Sequence, residues 1–165
     1  MDRVAAGSLT ELAPLYERYK SPLLGFLVNR LNGDRATAED LLQTTFERLI
    51  KYRTSWRSGQ CFKTWVYTVA RNVHHDYCRL AGRMPLNDHF ELASLPLEQS
   101  EAPTDCRRAL AALPENYRVV VELAWQREMK YADIAQVLGT TEANVKVRMH
   151  RACKRLRANY HKKQL

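Results

Sequence analysis

Apolar residues recur at three- and four-residue steps through two long stretches of the chain, which predicts an all-α fold. In the first stretch, Ser8 and Glu11 form a capping-box pattern ahead of Leu9, Leu12, Tyr16 and Tyr19. Pro14 lies in the first turns of that helix. Ser21-Pro22 restarts the pattern, because proline suits a first helical position. The restarted helix is predicted to run to Leu31 and stop at Asn32-Gly33. Thr37 and Asp40 repeat the cap signature, followed by Ala38, Leu41, Leu42, Phe46, Leu49 and Ile50 at helical spacing. A loop from Arg53 to Gln60 contains Trp56. A last helix carries Phe62, Trp65, Val66, Val69, Val73, Tyr77 and Leu80 on one stripe.

The second stretch opens with a short helix through Ala109, Leu110 and Leu113, ended by Pro114. Pro114-Glu115 then opens a helix with Val119, Val120, Leu123 and Ala124 inside. A further helix carries Ile134, Ala135 and Leu138. Gly139 can take a left-handed conformation and end it, and Thr141 can cap the next. At about 100° per residue, Val145, Met149, Ala152 and Leu156 fall in one narrow arc of that next helix, with Cys153 beside it. Lys146, Arg148, His150, Arg151, Lys154, Arg155 and Arg157 fill the remainder. Glu142 is its acid, placed in the first turn where the helix dipole favours it. Helix, glycine-containing turn and basic helix is a helix-turn-helix arrangement, suited to a DNA major groove. A basic amphipathic face alone also fits a solvated surface, a membrane or a peptide-binding partner.

Between the stretches, residues 81–105 hold Pro85, Pro96 and Pro103 and show no clear period. They read as an extended linker that still carries Leu86, Phe90, Leu92, Leu95 and Leu97. The expected organisation is two small helical domains, 1–83 and 106–165, joined by a connector at 84–105. Charge supports this division. Residues 1–83 carry +5, residues 84–103 carry −4 with no Lys or Arg, and residues 104–165 carry +7. A net +8 over 165 residues favours a polyanionic partner.

Cys61, Cys78, Cys106 and Cys153 have no CxxC spacing, so free thiols in a reducing cytoplasm are the default. His74 and Cys78 are spaced to share a helix face, but a metal needs more ligands, and no metal or cofactor is expected. The apolar run Leu23 to Val28 is too short to span a bilayer, and the beginning of the chain shows no apolar signal segment.

Tyr52, Trp56, Phe62, Trp65, Tyr67 and Tyr77 are interleaved with Arg53, Arg57, Lys63, Arg71 and Arg79. Rings stack on unpaired bases while cations follow phosphates. Trp65 and Tyr77 share the apolar stripe and read as structural. Trp56 and Tyr67 lie off it and are the better contact candidates. Single-strand contacts here, beside a duplex reader downstream, suggest a protein that locates and opens DNA.

Taken in order, these segments resemble the bacterial RNA polymerase sigma factors of the extracytoplasmic-function (ECF) type, nearly end to end. TAEDLLQTTFERL is similar to the family's polymerase-binding helix, and FKTWVYTVARNVHHDYCR to its promoter-melting helix. ALAALPENYRVV, YADIAQVLG and EANVKVRMHRACKRLR are similar to the module that reads the upstream, −35, promoter element. The resemblance implies a non-catalytic initiation factor whose partners are core RNA polymerase, promoter DNA and an anti-sigma factor.

It assigns polymerase binding to the helix with Asp40, Leu41, Gln43, Thr44, Phe46 and Leu49. Of these the polar Asp40 and Gln43 are the better interface residues, since the apolar ones also suit a core. Trp56, Lys63, Trp65, Tyr67, Arg71, Asn72 and His75 would lie near the opened −10 strand. Lys146, Arg148, His150, Arg151 and Arg155 would face the −35 duplex, with Lys154, Arg155 and Arg157 closer to phosphate. The acidic connector would occupy a basic polymerase channel. Val147 stands where the family often has Ser, Glu128 where Gly is common, and Lys130 where a capping Ser is common. A stand-alone helix-turn-helix regulator is the alternative, but it leaves the aromatic helix and acidic connector unexplained. A nucleic-acid enzyme would need a P-loop, a zinc-deaminase pattern or a nucleophile–base pair, none of which the sequence offers.

Overall fold

A computed structural model describes residues 1–82 and 109–161. The chain divides into two compact units at residues 85 and 86. All regular structure among the described residues is helical. The predicted connector, 84–105, lies outside the described residues, as does Cys106.

The first unit contains α1 (Asp2–Ala5), a 3-10 turn (Leu9–Glu11), α2 (Leu12–Arg30), α3 (Arg35–Lys51), a 3-10 turn (Arg53–Ser55) and α4 (Phe62–Leu80). α2 runs unbroken through Pro22, where two helices were expected. Proline removes one backbone hydrogen bond and crowds the preceding turn, at a cost of about 3 kcal/mol. Leu23, Phe26 and Leu27, all fully buried just beyond it, offset that cost. Three aromatic pairs fix α2 in place. Tyr16 meets Phe46 of α3 at 4.8 Å, and Tyr19 and Phe26 meet Phe62 and Tyr67 of α4, each at 5.1 Å.

α3 starts at Arg35, earlier than the expected Thr37 cap. Its cap is Asp34, whose carboxylate accepts from the Thr37 N–H at 3.1 Å and the Thr37 hydroxyl at 2.6 Å. Asn32 and Gly33, at φ 53° and 94°, make the left-handed turn before it. Ala38, Leu41, Leu42, Thr45, Phe46 and Leu49 form its buried stripe.

α4 buries a different face from the one expected. Val66, Tyr67, Ala70, Val73, His74 and Cys78 point inward, about a quarter turn from the stripe through Trp65 and Leu80. Leu80 is 85% exposed. Across this interface Arg48 of α3 donates to Asp76 of α4 at 2.6 Å, and Arg79 adds a contact at 3.3 Å.

In the second unit residues 109–111 are helical and Leu113 is buried. α5 (Glu115–Val121) continues into a π turn at Glu122–Gln126, which keeps Val119, Val120, Val121 and Leu123 buried. Glu128 follows at φ 51°, a left-handed position that glycine takes without steric cost. Then come α6 (Tyr131–Leu138) and α7 (Glu142–His161), and both α5 and α6 pack on α7.

The Arg48 hydrogen bond holds the Asp76 carboxyl below its ordinary value. A depressed folded-state value contributes stability above the unfolded pKa, about 3.9, and loses it as pH falls through the folded value. Asp76→Asn should therefore cost about 1 kcal/mol at pH 7, and urea melts of the two proteins should converge as the pH falls through the folded-state value.

Candidate nucleic-acid interface

α6 and α7 make the expected helix-turn-helix. Gly139 sits at φ 63°, and the Thr140 N–H reaches back to the Ala135 carbonyl at 3.0 Å. The Asn144 N–H donates to the Thr141 hydroxyl at 3.2 Å, so Thr141 caps α7. Lys130, at the start of α6, makes no side-chain cap. Ile134, Ala135, Val137 and Leu138 are buried opposite Val145, Met149 and Ala152.

The outward face of α7 carries Lys146, Val147, His150, Arg151 and Lys154, all exposed. Val147 is 46% exposed, an apolar residue among cations. Arg148 departs from the expectation, being only 7% exposed. It lies three residues after Val145 and one before Met149, so it flanks the anchoring stripe. In this structure it lies against the core of the second unit and not on the outward face. Lys146 is paired with Glu142 one turn earlier at 2.8 Å, and must exchange that partner to reach a base or phosphate. The Arg155 guanidinium lies 5.1 Å from the Tyr117 ring centre, which ties it to α5.

On α4, the buried-face shift reverses two expectations. Tyr67, expected off the apolar stripe, is 1% exposed, packed edge-on against Phe26, and belongs to the core. Trp65, read as structural, leaves the core instead. It lies 5.3 Å from Trp56 and 6.1 Å from Phe62, forming a half-buried aromatic cluster with the loop. Trp65, Thr68, Asn72, His75 and Arg79 follow one another along a single edge of α4 at helical spacing. Thr68 was missed because only its place between Trp65 and Asn72 marks it. Arg71 is half-buried and flanks this edge, while Lys63, also half-buried, lies in the first turn on the other side of the helix. Such an edge offers a ring, a hydroxyl, an amide and a cation in one line, a set that suits unpaired DNA.

On α3, Leu41, Phe46 and Leu49 are core. Asp40 and Gln43 are exposed, and Thr44 is half-exposed and bonds back to the Asp40 carbonyl at 2.9 Å. Gln43 donates to Glu47 at 2.9 Å, which extends the polar face by one turn. Glu47 was not singled out in the sequence. Its i+4 spacing from Gln43 was the available signal.

Among the described residues no three potential ligands gather into a metal site. His74 and Cys78 do meet, at 3.5 Å between Nε2 and Sγ, inside the first unit.

The first unit matches the family model for sigma-70 region 2 over residues 15–84, and the second matches sigma-70 region 4 over residues 106–156. The ECF RNA polymerase sigma factor SigM of Bacillus subtilis is 30% identical over 155 residues, covering 90% of this chain and 94% of that protein. The chain belongs to the ECF sigma factors. SigL of Mycobacterium tuberculosis is 31% identical, covering 95% of this chain and 94% of its own length. The solved sigma factor RpoE, in complex with the anti-sigma factor NepR from Bartonella quintana, shares the fold. Its TM-score is 0.71 at 24% identity, covering 92% of this chain and 97% of that one. CnrH, solved with the cytosolic domain of CnrY, has TM-score 0.67 at 20% identity, covering 95% and 92%.

This sigma factor should respond differently to two neighbouring arginine substitutions. Arg148→Ala should lower the melting temperature of the second unit, with a cost of about 1–3 kcal/mol from disturbing a buried charged group. Arg151→Ala should leave melting unchanged and weaken binding to upstream-element duplexes. Calorimetry beside duplex titrations of the holoenzyme checks both.

Proposed function

We propose that this ECF sigma factor reads promoter DNA at two places with two structurally different faces. It binds core RNA polymerase and directs it to promoters. The second unit, 106–165, would set α7 in the major groove of the −35 duplex. Lys146, His150 and Arg151 are its candidate contacts, with Lys154 and Arg155 toward phosphate and Val147 at the base edges. The first unit, 1–83, would hold the opened −10 strand along the α4 edge, using Trp56, Trp65, Asn72 and His75, with Lys63 and Arg71 toward the backbone. The polar face of α3, through Asp40, Gln43, Thr44 and Glu47, would meet polymerase. Residues 84–105 would connect the two readers.

The observation that carries this reading is the segregation of two exposed tracks on one chain. A basic helix face follows the left-handed Gly139, and an aromatic–amide edge runs from Trp65 to Arg79. A stand-alone regulator needs the first track and has no use for the second.

The factor supplies no bond-making chemistry of its own in this reading, and acts in the cytoplasm with the polymerase. Among the described residues no helix is long and apolar enough to cross a membrane. An anti-sigma protein is its natural regulator, as NepR is the partner of RpoE in the solved complex.

Reconstitution with core RNA polymerase on a promoter library tests the function. Initiation at a defined subset of promoters is expected, with the sigma factor alone binding the same DNA poorly. No initiation above that of core enzyme would contradict it. Holoenzyme binding to upstream duplexes should also weaken steeply with salt, and Arg151→Ala should reduce the slope of log K against log[salt] by about one.

A further inference from the structure

The α1 segment reaches into the strand-reading loop. The Trp56 indole N–H donates to the Asp2 carboxylate at 2.7 Å, across 54 residues of chain. The Ser58 side chain, on the far side of Arg57, faces the same carboxylate. These contacts hold the Asp2 carboxyl below its ordinary value, the Trp56 bond first. α1 is itself anchored. Val4 is fully buried, the Ser8 N–H bonds to the Arg3 carbonyl at 2.9 Å, and Arg3 pairs with Glu11 at 3.1 Å.

Within the loop the Gln60 N–H reaches back to the Arg57 carbonyl at 3.2 Å. Arg57, Ser58, Gly59 and Gln60 are exposed, and Gly59 at φ 87° has open space where a side chain would be. The Trp56 ring rests edge-on against Trp65 at 5.3 Å and Phe62 at 6.1 Å. Those contacts restrain its ring, while Asp2 occupies its one donor. An indole N–H bonded to a fixed acceptor cannot swing freely about χ1 and χ2. A ring already ordered loses less entropy when a base stacks on it.

Resting on the reading of Trp56 as a −10 strand contact, we infer that Asp2 is a positioning residue for promoter opening: it presets the Trp56 indole for the unpaired base. The carboxylate acts through its acceptor oxygen rather than its charge. Beside a DNA backbone a negative charge is unfavourable, so Asn at this position should serve as well or better.

The test uses the full chain reconstituted with core polymerase and a pool of duplexes carrying a premelted bubble, alongside the fully paired duplexes. Asp2→Ala should weaken bubble binding and slow opening by about three- to tenfold, while leaving binding to fully paired duplex unchanged. Asp2→Asn should restore the wild-type value, since its amide oxygen still accepts. In a Trp56→Phe background, which keeps a ring without a donor, Asp2→Ala should have no further effect. Circular dichroism and melting of each variant separate misfolding from mispositioning.

Equal losses in Asp2→Ala and Asp2→Asn would overturn the inference, as would an Asp2→Ala loss that persists with Trp56→Phe. If Asp2→Ala matches wild type while Trp56→Ala weakens bubble binding, the inference fails and the strand-contact reading stands. If neither variant changes bubble binding, both fail together.

Discussion

The rotation of α4 about its own axis governs what the first unit can do. Val66, Tyr67, Ala70, Val73, His74 and Cys78 face α2 and α3, and the Phe26–Tyr67 contact at 5.1 Å sets the angle. Small Ala70 lets the helix approach closely while the large Tyr67 ring fills the space beside it. The Arg48–Asp76 ion pair holds the same rotation from the other flank. With this face inward, Trp65, Asn72, His75 and Arg79 are left on one edge, and Trp65 can join Trp56 and Phe62 around the loop. A helix turned the other way would bury Trp65 and present Tyr67. Packing, not a separate functional selection of each residue, thus decides which aromatics are available to DNA.

The second unit works by a simpler constraint. A left-handed Gly139 and the Thr141 cap fix where α7 begins, and Val145, Met149 and Ala152 fix which way it faces. Lys146, Val147, His150, Arg151 and Lys154 then point outward by the helical period, while Arg148 lies beside the anchoring stripe. Two consequences differ from a plain basic helix. Lys146 is engaged with Glu142 within the helix, so part of its charge is already compensated. Val147 contributes an apolar surface amid cations, suited to contact with a thymine methyl rather than a polar base edge.

Much of this architecture was legible in the sequence. The all-helical class, the stripe of α3, the turn at Gly139 and the cap at Thr141 follow from local rules that packing did not override. Misreadings arose where tertiary contacts won. Pro22 signals a helix start, yet burial of Leu23, Phe26 and Leu27 carries α2 through it. The most hydrophobic stripe of α4 is not its buried one, because neighbours on two helices select the face with Ala70 and Tyr67. Arg148 looked like one more outward cation, but its place between Val145 and Met149 puts it against the core. The Asp2–Trp56 bond spans the unit, and no local pattern announces it.

The central claim is that α7 and the α4 edge touch different parts of one promoter in different strand states. Photoreactive side chains placed singly at positions 147 and 72, in holoenzyme bound to one open promoter, test it directly. Position 147 should crosslink to paired bases of the upstream element, and position 72 to unpaired bases of the downstream element. Adducts from both positions on the same segment, or from position 72 on paired DNA alone, would contradict the account.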